Sequence, residues 1–178
     1  APRALATGFQ TTASGENSTA MGNGTSASGD NSTAIGRNTI ANAYVSTAMG
    51  NATIASGSQS TAMGNATTAS GSNSTAMGSG TTASGNQSVA MGLNTTASGI
   101  YSVASGLNSN AKSLGEFVIG INNTDYTPAA GSTGFNGLDR LFVIGNGNSA
   151  TSRSDAMIVY KNGNTDINGD ANINGDAT

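Results

Sequence analysis

From Ala6 to Gly120 apolar and polar positions recur in one fixed phrase. The triplet Ala-Met-Gly, or a near relative, starts at Ala6, Ala20, Ala34, Ala48, Ala62, Ala76, Ala90 and Ala104, every step 14 residues. A second triplet, Ala-Ser-Gly, starts out of phase at Ala13, Ala27, Ala55, Ala69, Ala83 and Ala97; its slot at Ala41 reads Ala-Asn-Ala. One unit divides into a strand at Ser18–Gly22, a turn at Asn23-Gly24, a strand at Thr25–Gly29 and a turn at Asp30-Asn31. Asn, Asp and Gly suit such turns because they tolerate positive φ. A helix through this stretch would hold frequent glycines, each costing about 1 kcal/mol. Unbroken phasing therefore predicts an all-β solenoid, one coil per repeat, with equivalent strands stacked in parallel about 4.8 Å apart.

Side chains on a strand alternate between its two faces. On the first strand Ser18, Ala20 and Gly22 share one face, and Thr19 and Met21 the other. On the second, Thr25, Ala27 and Gly29 oppose Ser26 and Ser28. The recurring alanines predict a thin interior of Ala, Gly, Ser and Thr, which sends Met21, Ile35, Met49, Met63, Met77 and Met91 outward. The opposite arrangement, methionine inside and alanine outside, is the alternative. Each outward Met or Ile would gain roughly 1.5–3 kcal/mol from full burial. Soluble monomers rarely expose a contiguous apolar stripe of this kind. The column is therefore expected to be buried against copies of the same chain, about an axis parallel to the solenoid.

Composition by itself would read as disorder. Charged residues are 8% and aromatics 4% of the 178 residues, whereas an ordinary domain is about 25% charged. Small polar side chains bury little apolar surface, but the regular spacing and a net charge of only −3 argue against a disordered chain. The cations Arg3, Arg37, Lys112, Arg140, Arg153 and Lys161 are scattered, so no basic patch offers itself to nucleic acid. Without Cys or His, disulfides, thiolate or zinc sites and the common catalytic triads are unavailable, and no cofactor is expected. No apolar run approaches the ~20 residues of a membrane span, and the first residues lack a signal-peptide core. Direct membrane insertion of this segment is not expected; a signal and an anchor would lie outside it.

Repeats such as Ser32-Thr33-Ala34-Ile35-Gly36 and Ser88-Val89-Ala90-Met91-Gly92 resemble the Asn-Ser-Val-Ala-Ile-Gly repeats of YadA-like heads, the heads of trimeric autotransporter adhesins. The resemblance runs from about Ala6 to Gly120, with Met favoured over Ile and Thr over Val. It implies a left-handed parallel β-roll, an obligate homotrimer and an adhesive role at the cell surface. Anchoring in the outer membrane would come through a missing segment.

From Leu114 the composition shifts, and Phe117, Tyr126, Phe135, Phe142 and Tyr160 bring in most of the aromatic rings. Phe117-Val118-Ile119-Gly120 keeps the phase and returns as Phe142-Val143-Ile144-Gly145; a further 14-residue step leads from Phe142 to Ala156. The organisation predicted is a regular roll over residues 1–113, an irregular larger-cored cap over 114–160 with an inserted loop at 121–140, and a connector over 161–178. In the connector Asn162-Gly163, Asn168-Gly169 and Asn174-Gly175 recur with Ile167 and Ile173 in step, which predicts a narrow interchain β-structure leading to a further fibre segment. Asp166, Asp170 and Asp176 match neither an EF-hand loop nor the nonapeptide calcium repeat, so turn chemistry is the reading. The stretch Leu141–Ile167 also resembles segments of bacterial and phage trimeric fibres. That keeps a tail-fibre shaft, located on a virion, as an alternative.

The leading function is a non-catalytic homotrimer that attaches to a host or target-cell surface protein or glycan. Polysaccharide-cleaving solenoids need acid–base pairs on one face, and the regular coils hold only Glu16 and Asp30, both at turns. An ice-binding solenoid is a further alternative. The outer face of the second strand carries Thr68 and Ser70, Thr82 and Ser84, Thr96 and Ser98, although Ile40, Ile54 and Asn42 interrupt it. Tyr44 and Tyr101 at turns, with Tyr126 and Phe135 in the inserted loop, are candidate ligand contacts, since aromatic rings grip sugars and proteins.

Overall fold

The computed structural model describes residues 3–169. Expectations for Asp170, Ile173, Asn174, Gly175 and Asp176 lie outside the described residues. Long strands run from Leu5–Phe9 and Thr19–Asn23, at 14-residue steps, to Phe117–Ile121. Short strands run from Thr12–Ala13 to Asn110–Ala111. Equivalent residues lie side by side in parallel register, Ala76 beside Ala90 and Met77 beside Met91. The result is an all-β parallel solenoid of two facing sheets, with no helix among the described residues.

The second strand is shorter than predicted: Ser26–Ala27, not Thr25–Gly29. The amides of Ser28 and Gly29 both reach the carbonyl of Ala41, at 3.0 and 3.3 Å, so the chain bends there instead of extending.

The interior is made of alanine. Every core alanine from Ala20 to Ala111 is fully buried, flanked by a buried serine column through Ser18 and Ser32 and a buried threonine column through Thr25 and Thr39. Alanine inside and methionine outside is thus the arrangement found. A column of glycines lets successive coils touch. At Gly64, φ is +123° and a Cβ would sit 2.0 Å from the carbonyl oxygen of Gly78. Only glycine adopts such a backbone routinely. A second glycine column runs from Gly15 to Gly99, and the alanine that interrupts it is instructive. Gly29 and Gly57 donate to the next coil's alanine carbonyl, whereas the amide of Ala43, in the same slot, turns to Ser46 Oγ at 3.2 Å.

The short-strand sheet stops at Asn110–Ala111. Backbone groups that elsewhere meet the next coil meet side chains here. Asn123 accepts from the Asn110 amide at 2.8 Å and donates to the Asn110 carbonyl at 3.0 Å. Glu116 Oε2 accepts from the amides of Lys112 and Ser113, at 2.6 and 2.9 Å. Arg140 donates from Nε to Glu116 at 3.0 Å and from Nη1 to Asp155 at 3.3 Å, all three side chains being buried. The long-strand sheet continues with Arg140–Asn146 in parallel, then Asp155–Tyr160 and Thr165–Ile167 in antiparallel. Residues 121–140 form no strand between their ends. They fold back so that the Ile100 amide donates to the Ser132 carbonyl at 2.9 Å.

One expectation for this end is corrected. The 14-residue step from Phe142 to Ala156 is not another coil: the chain reverses near Ser149–Ser152, and Phe142 lies opposite Val159. Ile167 pairs with Met157 of its own chain and remains 50% exposed.

Candidate functional site

The long strands position the candidate association face. Because Ala20 must face inward, its neighbours Thr19 and Met21 face out, and the in-register stacking repeats this at each coil. Met21, Ile35, Met49, Met63, Met77 and Met91 therefore form one straight column on the outside of the sheet. It continues through Ser105, Ile119, Ile144 and Met157. Met21 and Met49 remain 39% exposed, and the other members are partly covered by their neighbours along the column.

The predicted aromatic contacts do not form one site. Tyr44 and Tyr101 are well exposed, at 54% and 60%, on turns four coils apart, a separation of about 19 Å. Tyr101 holds φ at +59° and Val45, beside Tyr44, holds +53°. A β-branched residue there is an outlier. Phe135 stands 71% exposed in the inserted loop, with the Lys161 ammonium 5.9 Å from its ring centre. Tyr126 is turned to the chain's own interior. Its ring lies 3.8 Å from the Arg140 guanidinium, and its hydroxyl donates to Glu116 at 3.4 Å.

The outer face of the short strands carries the expected hydroxyl rows at Thr68, Thr82 and Thr96 and at Ser70, Ser84 and Ser98, with Ile40 and Ile54 preceding Thr68 in the first row. Of the two acids in the coils, Asp30 accepts from the Glu16 amide at 2.9 Å, a turn contact. No cluster of three or more metal-ligating side chains exists among the described residues.

A family model described as the YadA head domain repeat (2 copies) matches residues 2–25, 13–39, 27–53, 41–67, 55–81, 69–95 and 83–109. The chain belongs to the YadA head family. YadA heads are trimeric β-rolls of autotransporter adhesins, structural modules and not known enzymes; the roll described here shares their parallel coil architecture. No curated relative matches the chain.

Reading the Met column alone misses the residues that close this YadA-type roll. Burial pushes the Glu116 carboxyl up from its ordinary value, against the pull of the Arg140 guanidinium and the two amides it accepts. Burial, and then the Glu116 charge, push the Tyr126 hydroxyl up as well. A signal for Glu116 exists in the sequence: it stands 14 residues after Ser102, in the slot that serine holds in each coil from Ser18 to Ser102. Asn123 likewise stands 14 residues after Ser109, in the threonine column. Arg140 and Asp155 have no such signal, because they lie beyond the repeat.

Proposed function

We propose that this segment is the head of a trimeric surface adhesin, in which the Met21–Met91 column of each chain is buried against two sister chains and the remaining surface faces the target. The observation that carries the reading is the unbroken apolar column outside the chain's own core. Such a stripe is uncommon on a soluble monomer, and family membership supports three as the number. The division of the chain fits this role: a roll over residues 1–113, a closing region over 114–160 and a connector from 161 toward further fibre. The partner would be a protein or glycan on a host or target cell, with Tyr44, Tyr101 and Phe135 as the exposed aromatic contacts.

Sedimentation of the purified segment tests the assembly. A trimer at micromolar concentration is expected, and a stable monomer there overturns the reading. A screen against immobilised glycans and matrix proteins then tests attachment, with Tyr44→Ala/Tyr101→Ala as the comparison. Unchanged binding by that variant would remove both tyrosines from the contact.

A further inference from the structure

The face that carries the Met column changes character part-way along. Two further outward columns flank it, one just before the core alanine and one just after the glycine. From Thr19 to Ser79 the first flank is threonine and the second is Asn, Arg or Ser. From Val89 to Ile121 the first is Val or Phe and the second Leu or Ile. Both flanks switch at one step, Thr75 to Val89 and Ser79 to Leu93. The first coil differs again, with Thr7 in the central column between Leu5 and Phe9.

The fold does not require this switch, since threonine and valine suit strands about equally. Where the second flank is polar, it satisfies itself along the chain: Arg37 donates to Asn51 at 2.8 Å, and Asn51 to Asn65 at 2.7 Å. Where the flanks are apolar, Leu93, Phe117 and Ile121 are each more than 40% exposed and Val89, Val103 and Leu107 are half-buried, around a centre that reads Met91, Ser105, Ile119.

We infer that the association face has two parts: a wide apolar seat from Val89 onward that holds the assembly together, and a seam one residue wide from Thr19 to Ser79. The inference rests on the proposed self-association. Its occupant is a second copy of this chain. A copy advances by the same strand spacing and carries the same three columns, so that its ridges meet these at every rung. The three columns between Thr19 and Ile121 also carry a single charge, Arg37, which leaves nothing to recognise a charged partner. The Met column runs unbroken from the seam into the first rung of the seat.

The test moves the boundary by one rung. Val89→Thr/Leu93→Ser gives that rung the flanks of the one before it, and Thr75→Val/Ser79→Leu does the reverse. Each variant uses residues a neighbouring coil already carries in the same slots, so the coils stay intact, which circular dichroism verifies. Met49→Thr, a residue that Thr7 already places in this column, probes the seam. Sedimentation over a dilution series reads the concentration at which half the chains are assembled. The Val89/Leu93 variant is expected to raise it on the order of 100-fold and Met49→Thr by less than about 10-fold, while the Thr75/Ser79 variant lowers it. Equal shifts for seat and seam, or a larger shift for Met49→Thr, overturn the two-part face while leaving self-association standing. A monomeric parent protein would instead sink the assembly itself.

Discussion

Between Ala20 and Ala104 strand amides meet carbonyls one coil away, as the Val89 amide meets the Ser102 carbonyl; after Ala111 the short-strand sheet has no next coil, and charged and amide side chains take its place. The coils can be built from very small residues because the neighbouring rung supplies most of their backbone partners. Their interior then needs only alanine and hydroxyls. The closing end has no copy of itself to lean on. It needs an amide group that imitates a peptide, at Asn123, and a carboxylate that imitates a carbonyl, at Glu116. A carboxylate placed there has to be buried, which brings in Arg140 and Asp155. Repetition makes a cheap core; termination makes an ionic one.

That contrast can be broken most severely inside the coils. Gly64→Ala places a methyl group 2.0 Å from a backbone oxygen that cannot move aside, at a φ that L-residues rarely adopt. Strain and overpacking together should cost about 5 kcal/mol, seen as a large drop in thermal midpoint. A drop no greater than that of a surface substitution would mean that the coils are not in backbone contact. At the closing end, Arg140→Met leaves Glu116 and Asp155 buried without their cation and should cost about 4 kcal/mol. Hydrogen exchange should localise the damage, with the Lys112 and Ser113 amides opening well before those of the first coils. Asn123→Leu removes both bonds to Asn110 and should cost about 2 kcal/mol, with the loss confined to the last short strand.

A pH series sharpens the same comparison. The folded-state pKa of Glu116 lies above the ordinary 4.5 of the unfolded chain, because burial outweighs the Arg140 attraction. The folded end therefore holds its proton more tightly than the unfolded chain does. Stability from this group is fully present below 4.5 and is lost as pH rises through the folded-state value. Glu116→Gln should flatten that part of the thermal midpoint against pH; an unchanged slope would assign it to other groups. The smallest effect is expected in the core. The Thr67 hydroxyl is buried and has no hydrogen-bond partner among the described residues. Thr67→Val, nearly the same shape, should leave stability unchanged or raise it by up to about 1 kcal/mol. A clear loss would reveal a bond for that hydroxyl.

The regular half of this architecture was legible because its rules are local and repeated. Strict alternation put Ala20 and Met21 on opposite faces, and the eight consecutive alanine starts favoured alanine as the inner one. The short strand was overestimated because Ser28 and Gly29 look extended in sequence, while their shared carbonyl acceptor is a three-dimensional fact. Past Ala111 the rules become non-local. Glu116 is tied to Arg140 and Arg140 to Asp155, across intervals that no period describes. The 14-residue step from Phe142 to Ala156 misled for the same reason, since a hairpin can imitate the interval of a coil. The aromatic contacts were the least legible. Tyr126 and Phe135 look alike as loop aromatics, yet one packs on a buried guanidinium and the other faces solvent.

The in-register stacking of identical rungs also bears on how such a head can change through generations. Removing or duplicating any whole 14-residue unit returns every side chain to its own column, and the rod only grows or shrinks by about 4.8 Å. A slip of one residue would turn alanines outward and methionines inward from that point on. Near-identical stretches of coding sequence recombine readily, so the length of the rod can drift by whole rungs while its surfaces stay as they were.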